Sequence, residues 1–218
     1  MKNIAVVDGA IKTLAIPCFN KLVESYPQYS FTYHATGFSG TDSLSYLNSV
    51  DALVILGSAS HVHQEHSWHG ELADWACTLL YNNIPVLGIC FGHQLMACAF
   101  GAEVDYFRDA DFKIYGARQS VITSEIMGFE KGDSLKMAVS HRQVVTGISD
   151  QFDVWLSAPE QVCDGLIHKS LPLVTVQAHP EASNQFLGLE VSVLKPDQYT
   201  RVQRDGGELI TGFFNTFL

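Results

Sequence analysis

The stretch that most constrains this chain runs from Ile84 to Leu95, IPVLGICFGHQL. Val86 to Ile89 is an apolar run of strand length, entered through Pro85. Gln94 to Phe100 is helix-compatible, and Gly101 stands where a helix stop belongs. Cys90 is left at the corner, with Gly88 and Gly92 two residues away on either side. A residue on so sharp a corner takes strained backbone angles, and its neighbours must be small for the chain to pass closely. This is the pattern of a nucleophile elbow with cysteine in place of serine. It lifts the sulfur above the sheet and sets a helix N-terminus beneath it, where amide dipoles favour the reactive thiolate. A buried structural cysteine in a strand-to-helix turn would read the same from these residues alone, so the rest of the chain decides.

Before the elbow, strand and helix patterns alternate. Ile4 to Val7, Phe31 to Ala35, Ala52 to Leu56 and Val86 to Ile89 read as strands. Leu14 to Tyr26 and Trp68 to Tyr81 carry apolar residues at helical spacing, and Leu44 to Leu47 suits a short helix. This alternation predicts an α/β fold with a mostly parallel sheet, helices on both faces and a flavodoxin-like order. Right-handed crossovers would bring Asp8, Gly57 and Cys90 to one edge. From Ala102 onward, short alternating segments (104–107, 114–121, 137–140, 154–156 and 165–168) predict β-hairpins layered onto the sheet. Leu173 to Ala178 is a further strong strand, and Glu208 to Leu218 reads as a closing amphipathic helix. No linker or internal repeat is visible, so residues 1–218 are expected to form one domain.

Composition excludes several classes. A formal net charge of −10 argues against nucleic acid, whose phosphates need clustered Lys and Arg. The five cysteines are scattered without C-x-x-C spacing, which favours free thiols in a reducing compartment. The N-terminus reads directly as a strand, and no stretch approaches a membrane span. A cytoplasmic protein without membrane contact is expected.

The second feature is Gln177-Ala178-His179-Pro180-Glu181. A strand delivers a histidine to its C-terminal end, a proline turns the chain, and a carboxylate follows. Cysteine catalysis needs a base beside the sulfur and an orienting group on the base's other nitrogen, and this turn offers both. The third feature is Gly57-Ser58, small residues ending a buried strand. Their turn and the Phe91 amide are candidates for an oxyanion hole.

Together, Gly88-Ile89-Cys90-Phe91-Gly92-His93-Gln94, Ser140-His141 and Gln177-Ala178-His179-Pro180-Glu181 resemble the class I (triad) glutamine amidotransferases, in order and spacing along the whole chain. The likeness is greatest to stand-alone members related to the glutaminase domain of guanosine monophosphate synthetase. It implies Cys90 as nucleophile, His179 as base and acid, and Glu181 as orienter. It implies that Gly57, Ser58 and Phe91 line the oxyanion hole, and that Gln94, Ser140, His141, Arg142 and Gln143 surround the substrate. That substrate would be a γ-glutamyl amide, glutamine first, cleaved through a thioester to glutamate and ammonia without a cofactor. A separate synthase would accept the ammonia, because nothing after Leu218 in this chain would consume it. His93 is read as structural.

Some residues depart from the pattern. The oxyanion turn often has two glycines, and a positive φ at Ser58 would be uncomfortable. Arg142-Gln143 follows Ser140-His141 where many relatives carry an acid, which puts recognition of the substrate's amino end in question. His61, His63, His66 and His69 crowd the segment after Gly57, with Glu65 among them. Their spacing matches no common zinc pattern, so no metal is expected, and a substrate-facing lid is the better reading. Rival functions are a non-catalytic binding or regulatory role, and a γ-glutamyl peptide or γ-glutamyl amine hydrolase. The last rival is the intracellular-protease and glyoxalase-III-like branch, disfavoured because no carboxylate accompanies Cys18.

Overall fold

The computed structural model describes residues 1–218 except Asn48, Glu65 and the side chain of Pro196. The strands are β1 (Asn3–Val7), β2 (Ser30–His34), β3 (Ala52–Ile55), β4 (Val86–Ile89), β5 (Glu103–Tyr106), β6 (Ile114–Ile122), β7 (Ser134–His141), β8 (Gln143–Gly147), β9 (Phe152–Ala158), β10 (Gln161–His168) and β11 (Leu173–Val176). The α-helices are α1 (Ile16–Ser25), α2 (Thr36–Ser39), α3 (Ser67–Tyr81), α4 (Phe91–Ala99), α5 (Asn184–Glu190) and α6 (Pro196–Phe217), with a 3₁₀ turn over Asp42–Tyr46.

Among the described residues one sheet runs β2-β1-β3-β4-β11-β10-β9-β6-β7. The first five strands are parallel and the last four antiparallel. This is the flavodoxin-like α/β architecture expected from the alternation. Alternate side chains along each buried strand feed two cores. Val54, Ile89 and Val174 pack with Leu22, Trp155 and Phe213 on one face. Leu53, Ile55 and Val86 pack with Leu72, Leu80, Phe91 and Met96 on the other. Both faces are covered, which is why these strands read as continuous apolar runs.

Three expectations change. The hairpins are not layered over the sheet: β10, β9, β6 and β7 extend it edge to edge, while β5 and β8 form a separate pair. The sheet also curls back on itself, so that the His179 N–H donates to Ala138 O of β7 at 2.8 Å. The closing helix begins twelve residues earlier than Glu208, at Pro196, and runs through Gly206 and Gly207. Gly206 is there for space: a methyl on it would lie 2.5 Å from Pro180 O. Its cost to helix propensity hid the first half of α6. Helix α5, started by Ser183 Oγ accepting from the Phe186 N–H at 3.1 Å, has no counterpart in the sequence reading.

Candidate active site

The elbow forms as its glycines require. Cys90 sits between β4 and α4 with φ 52° and ψ −99°, a left-handed conformation that costs free energy for a side-chain-bearing residue. Its own N–H is tied to Val176 O at 2.8 Å, which anchors the corner to β11. A methyl on Gly88 would lie 2.7 Å from Gly92 O, and one on Gly92 would lie 2.5 Å from Ile55 O. Both positions must therefore stay bare for β4 to turn into α4. The Phe91 N–H opens the helix and has no intrahelical acceptor.

The turn after β11 brings His179 to the same place. His179 Nδ1 and Glu181 Oε1 are 2.8 Å apart, and both residues are buried. Phe186 of α5 lies against the imidazole with ring centres 4.6 Å apart. Lys21 Nζ donates to Ala182 O at 2.9 Å and pins the turn from α1. Burial is the largest influence on His179 and opposes its positive charge. The Glu181 carboxylate, then the Cys90 sulfur, more than reverse it and hold the imidazole well above the ordinary histidine value. His179 Nε2 is buried without a hydrogen-bond partner among the described residues.

Gly57 joins these groups. A methyl there would lie 2.7 Å from His179 Cε1 and 3.4 Å from Cys90 Cβ, so the end of β3 is wedged against both. Ser58 does not adopt the positive φ that its place in the turn suggested. It anchors the turn instead, with Oγ donating to Gly9 O at 2.5 Å and accepting from the Ser60 N–H at 2.9 Å.

A cavity of about 310 Å³ opens over Cys90, His179 and the Gly57-Ser58 turn. Asp8 does not reach it. Fully buried at the end of β1, Asp8 accepts from the N–H groups of Ala10 and Ala15 at 2.8 and 2.7 Å and shapes the 10–15 loop into one wall. Gln94, Ser140, His141, Arg142 and Gln143 form part of the opposite wall. Several already have protein partners. Gln94 Nε2 donates to Gln143 O at 2.8 Å and to Gln177 Oε1 at 3.1 Å. Ser140 Oγ donates to Glu190 Oε2 at 3.1 Å, which also takes Lys113 Nζ at 2.7 Å. His141 has Gln143 O on Nδ1 at 3.0 Å and Arg118 Nη1 on Nε2 at 3.3 Å. Burial, then the Arg118 charge, push its imidazole down to about 3. Gln143 Oε1 is buried and unpartnered, and Arg142 makes no ion pair, in both cases among the described residues.

The histidine segment does not act as one group. His61 lines the cavity, with its ring 5.1 Å from that of Tyr106. His63 Nε2 faces Val104 O at 2.8 Å, and His69 Nε2 faces Ser60 Oγ at 3.0 Å. His66 stacks on Trp68. Of the expected lid only His61 reaches the cavity, and Glu65 lies outside the described residues. His93 is buried in α4 with Nδ1 2.8 Å from Thr175 Oγ1, and burial pushes it down to about 3.

Sequence reasoning missed Gln177, Lys113 and Glu190. Gln177 stands one strand period before His179, a signal that was available. Lys113 and Glu190 are 77 residues apart in sequence, and nothing local announces their pairing.

The molecule is thus an α/β protein whose mixed sheet sets a cysteine elbow beside a His-Pro-Glu turn. The family model for glutamine amidotransferase class-I matches residues 21–192, and the chain belongs to that family. One of the subunits of a glutamine-hydrolyzing GMP synthase from Methanopyrus kandleri is 38% identical over 104 residues, covering 47% of this chain and 54% of the relative. A glutamine-hydrolyzing GMP synthase of Cupriavidus taiwanensis is 27% identical over 164 residues, covering 69% of this chain but 30% of the relative. The chain thus spans about half of one relative and under a third of the other. A glutamine amidotransferase structure from Thermotoga maritima superposes with a TM-score of 0.77 at 16% identity, covering 99% of this chain and 97% of that one, a likeness of fold. Among the described residues no helix is long and apolar enough to cross a membrane.

Proposed function

We propose that this protein hydrolyses a γ-glutamyl amide, with glutamine as its first substrate, through a thioester on Cys90. The observation that carries the reading is the buried His179–Glu181 pair, 2.8 Å apart, wedged by Gly57 against the strained Cys90 corner at the base of a cavity. Cys90 Sγ attacks the side-chain carbonyl carbon. The oxyanion is received by the Phe91 N–H and the Gly57-Ser58 turn. The imidazolium of His179 protonates the leaving nitrogen, and ammonia departs. Water then attacks the thioester, His179 takes its proton, and glutamate leaves. Glu181 orients the imidazole and stabilises its charge. Gln94, Ser140, His141, Arg142 and Gln143 form the substrate wall, with Arg142 toward the α-carboxylate and Gln143 Oε1 toward the α-ammonium.

Both relatives described above are named as glutamine-hydrolyzing GMP synthases, one of them as a separate subunit. By analogy, a separate ammonia-accepting synthase is the partner proposed here. A second reading, a γ-glutamyl peptide or amine hydrolase, draws support from the far wall of the cavity. Lys113 and Glu190 there offer charges that a leaving group larger than ammonia can meet. Released glutamate, measured across glutamine, γ-glutamyl dipeptides and γ-glutamyl amines, tests both readings. Labelling by an electrophilic glutamine analogue should fall on Cys90. Equal labelling of Cys18, Cys77, Cys98 or Cys163 would overturn the assignment. Burial pushes the Cys18 thiol up to about 12 and raises the other three as well, so they are poor competitors.

A further inference from the structure

We infer that Gln177 is a hydrogen-bond donor to the Cys90 sulfur, and that Gln94 serves to orient it. Gln177 Nε2 lies 3.7 Å from Cys90 Sγ, within reach for sulfur. Gln177 is fully buried and stands apart from the cavity lining, so it meets the sulfur from the protein side and does not compete with substrate. Its backbone is fixed as well, with the N–H donating to Asp164 O at 2.8 Å.

The direction of the side-chain amide is determined by hydrogen bonds that begin at the backbone carbonyl of Gln143. A guanidinium only donates. Arg118 Nη1 therefore donates to His141 Nε2 at 3.3 Å, which places the ring proton on Nδ1, facing Gln143 O at 3.0 Å. A carbonyl only accepts, so the Gln94 group 2.8 Å from that same oxygen must be its NH₂. The Gln94 NH₂ also faces Gln177 at 3.1 Å, so Gln177 must present its oxygen there. The NH₂ of Gln177 is then left for the sulfur. The polarities of Gln94 and Gln177 follow in turn from the Gln143 carbonyl, while the Arg118 bond fixes the His141 tautomer. Asp164 accepts from Arg118 and Ser120 and holds Arg118 beside His141.

An N–H aimed at sulfur stabilises thiolate over thiol, because charge-assisted hydrogen bonds are the stronger kind. Gln94, assigned above to the substrate wall, thus acts also as a positioning residue through Gln177. This inference takes Cys90 as the nucleophile proposed above, but its readout needs no substrate.

The experiment is the pH dependence of Cys90 alkylation by iodoacetamide, followed on the Cys90 peptide by mass spectrometry. Wild type is compared with Gln177→Met and Gln94→Met. The titratable groups sharing the cavity with Cys90 are His179 and Glu181 beyond β11, Cys18 on α1, Lys12 and His61 on the loops, His141 and Arg142 at the β7–β8 turn, and Lys113 with Glu190 opposite. All are retained in both variants. Gln177→Met should move the alkylation midpoint up by about one pH unit, a roughly tenfold smaller thiolate fraction below it. Gln94→Met should move it the same way by less, because the freed amide samples both orientations. Gln94→Met keeps the residue 94 N–H to Cys90 O bond at 3.1 Å, removes no side-chain contact to the sulfur, and keeps the test decisive where Gln177→Met fails to fold. A midpoint unchanged in folded Gln177→Met, or unchanged in Gln94→Met when that variant alone folds, overturns the inference. A wild-type chain with this alkylation behaviour but no γ-glutamyl hydrolysis would overturn the proposed function instead.

Discussion

The parallel and antiparallel halves of the sheet each hold a buried histidine beside charged partners, and they put it in opposite states. In the parallel half, β4 runs into Cys90 and the turn after β11 carries His179, both against a cavity. His179 faces a carboxylate, is held well above its usual value, and leaves Nε2 without a partner among the described residues. In the antiparallel half, His141 faces the Arg118 guanidinium, is pushed down to about 3, and has protein partners on both nitrogens. The sign of the neighbouring charge and the presence of an open valence separate the two imidazoles. The place of the charged partner accounts for the difference, since His141 ends β7 and lines the cavity as His179 does. Arg118 and Asp164 lie within β6 and β10, where neighbours close over them, while His179 lies beyond the end of β11.

The largest expected effects break the parallel half. Cys90→Ser and His179→Ala should each lower turnover by about 10⁴-fold or more; the unfolding midpoint should stay near wild type for Cys90→Ser and fall for His179→Ala, which leaves the buried Glu181 without its partner. Under the proposed mechanism Glu181→Gln should lose less than His179→Ala, because there the carboxylate orients the imidazole and does not react. Equal losses in steady-state assays would assign Glu181 more than orientation, and a silent Glu181→Gln would mean another carboxylate holds His179.

Gly57→Ala sharpens the same point with a single methyl. The added carbon would sit 2.7 Å from His179 Cε1, so the imidazole must shift away from Cys90. A displacement of that order should cost on the order of 10²-fold in kcat with little change in KM. Full activity would show that β3 does not set the sulfur–imidazole distance.

The antiparallel half should break in the opposite manner, in stability. Arg118→Met leaves the fully buried Asp164 without its cation, and removing one partner of a buried ion pair costs about 3–5 kcal/mol. The Arg118→Met/Asp164→Leu double variant should recover much of that. Urea midpoints measure both, and a stable single variant would remove the scaffold role.

Acid should also distinguish the buried histidines. His93 and His141 have folded values near 3 against an unfolded value of 6.5. Between those limits the unfolded chain binds more protons, so stability falls as pH falls through that window and is level above it. At pH 5 the loss is about 2 kcal/mol for each histidine. His179 runs the other way: its contribution is complete below pH 6.5 and is lost as pH rises through its elevated folded value. Urea midpoints at pH 5 and 7 should drop less for His141→Gln than for wild type. An equal drop would mean that His141 is charged in the fold.

How much of this was legible in the sequence follows the same division. The parallel half could be read because buried strands are continuous apolar runs, and because the elbow and the His-Pro-Glu turn are local patterns. In the antiparallel half the hairpins β6–β7 and β9–β10 were legible as short alternating segments, but the pairings that join them to the sheet, β6 with β9 and β5 with β8, span distant residues. Strand β8 begins at Gln143, with only Arg142 between it and the end of β7, and no turn signature separates the two. Helix α5 buries chiefly Leu187 and depends on its Ser183 cap. The candidate site divides likewise. Cys90, His179, Glu181 and Gly57 came from motifs. The roles of Arg118, Asp164 and Gln177 come from hydrogen bonds spanning 23 to 87 residues, which no local pattern encodes.

The smallest expected effect concerns Arg142 and Gln143, where the two halves meet over the cavity. A γ-glutamyl substrate carries an α-carboxylate and an α-ammonium. Arg142 is half-buried, lines the cavity and pairs with no carboxylate among the described residues, so its fork is free for the substrate carboxylate. Gln143 offers a buried, unpartnered Oε1, a neutral acceptor where a charged one would hold an ammonium about twice as strongly. Glutamine should therefore bind weakly, with KM toward the millimolar end of the usual range. Arg142→Ala should raise KM on the order of fivefold with kcat nearly constant, as for interactions made equally in ground and transition states. Gln143→Glu should lower KM by a comparable factor, provided the new carboxylate keeps its charge in a buried position. That proviso has its own signature. If burial protonates the glutamate, the gain appears only as pH rises and vanishes toward acid, whereas Arg142→Ala is insensitive to pH. Steady-state KM values for both variants at pH 6 and 8, on a substrate the wild type turns over, separate these cases. Unchanged KM in both at either pH would place substrate recognition on backbone groups.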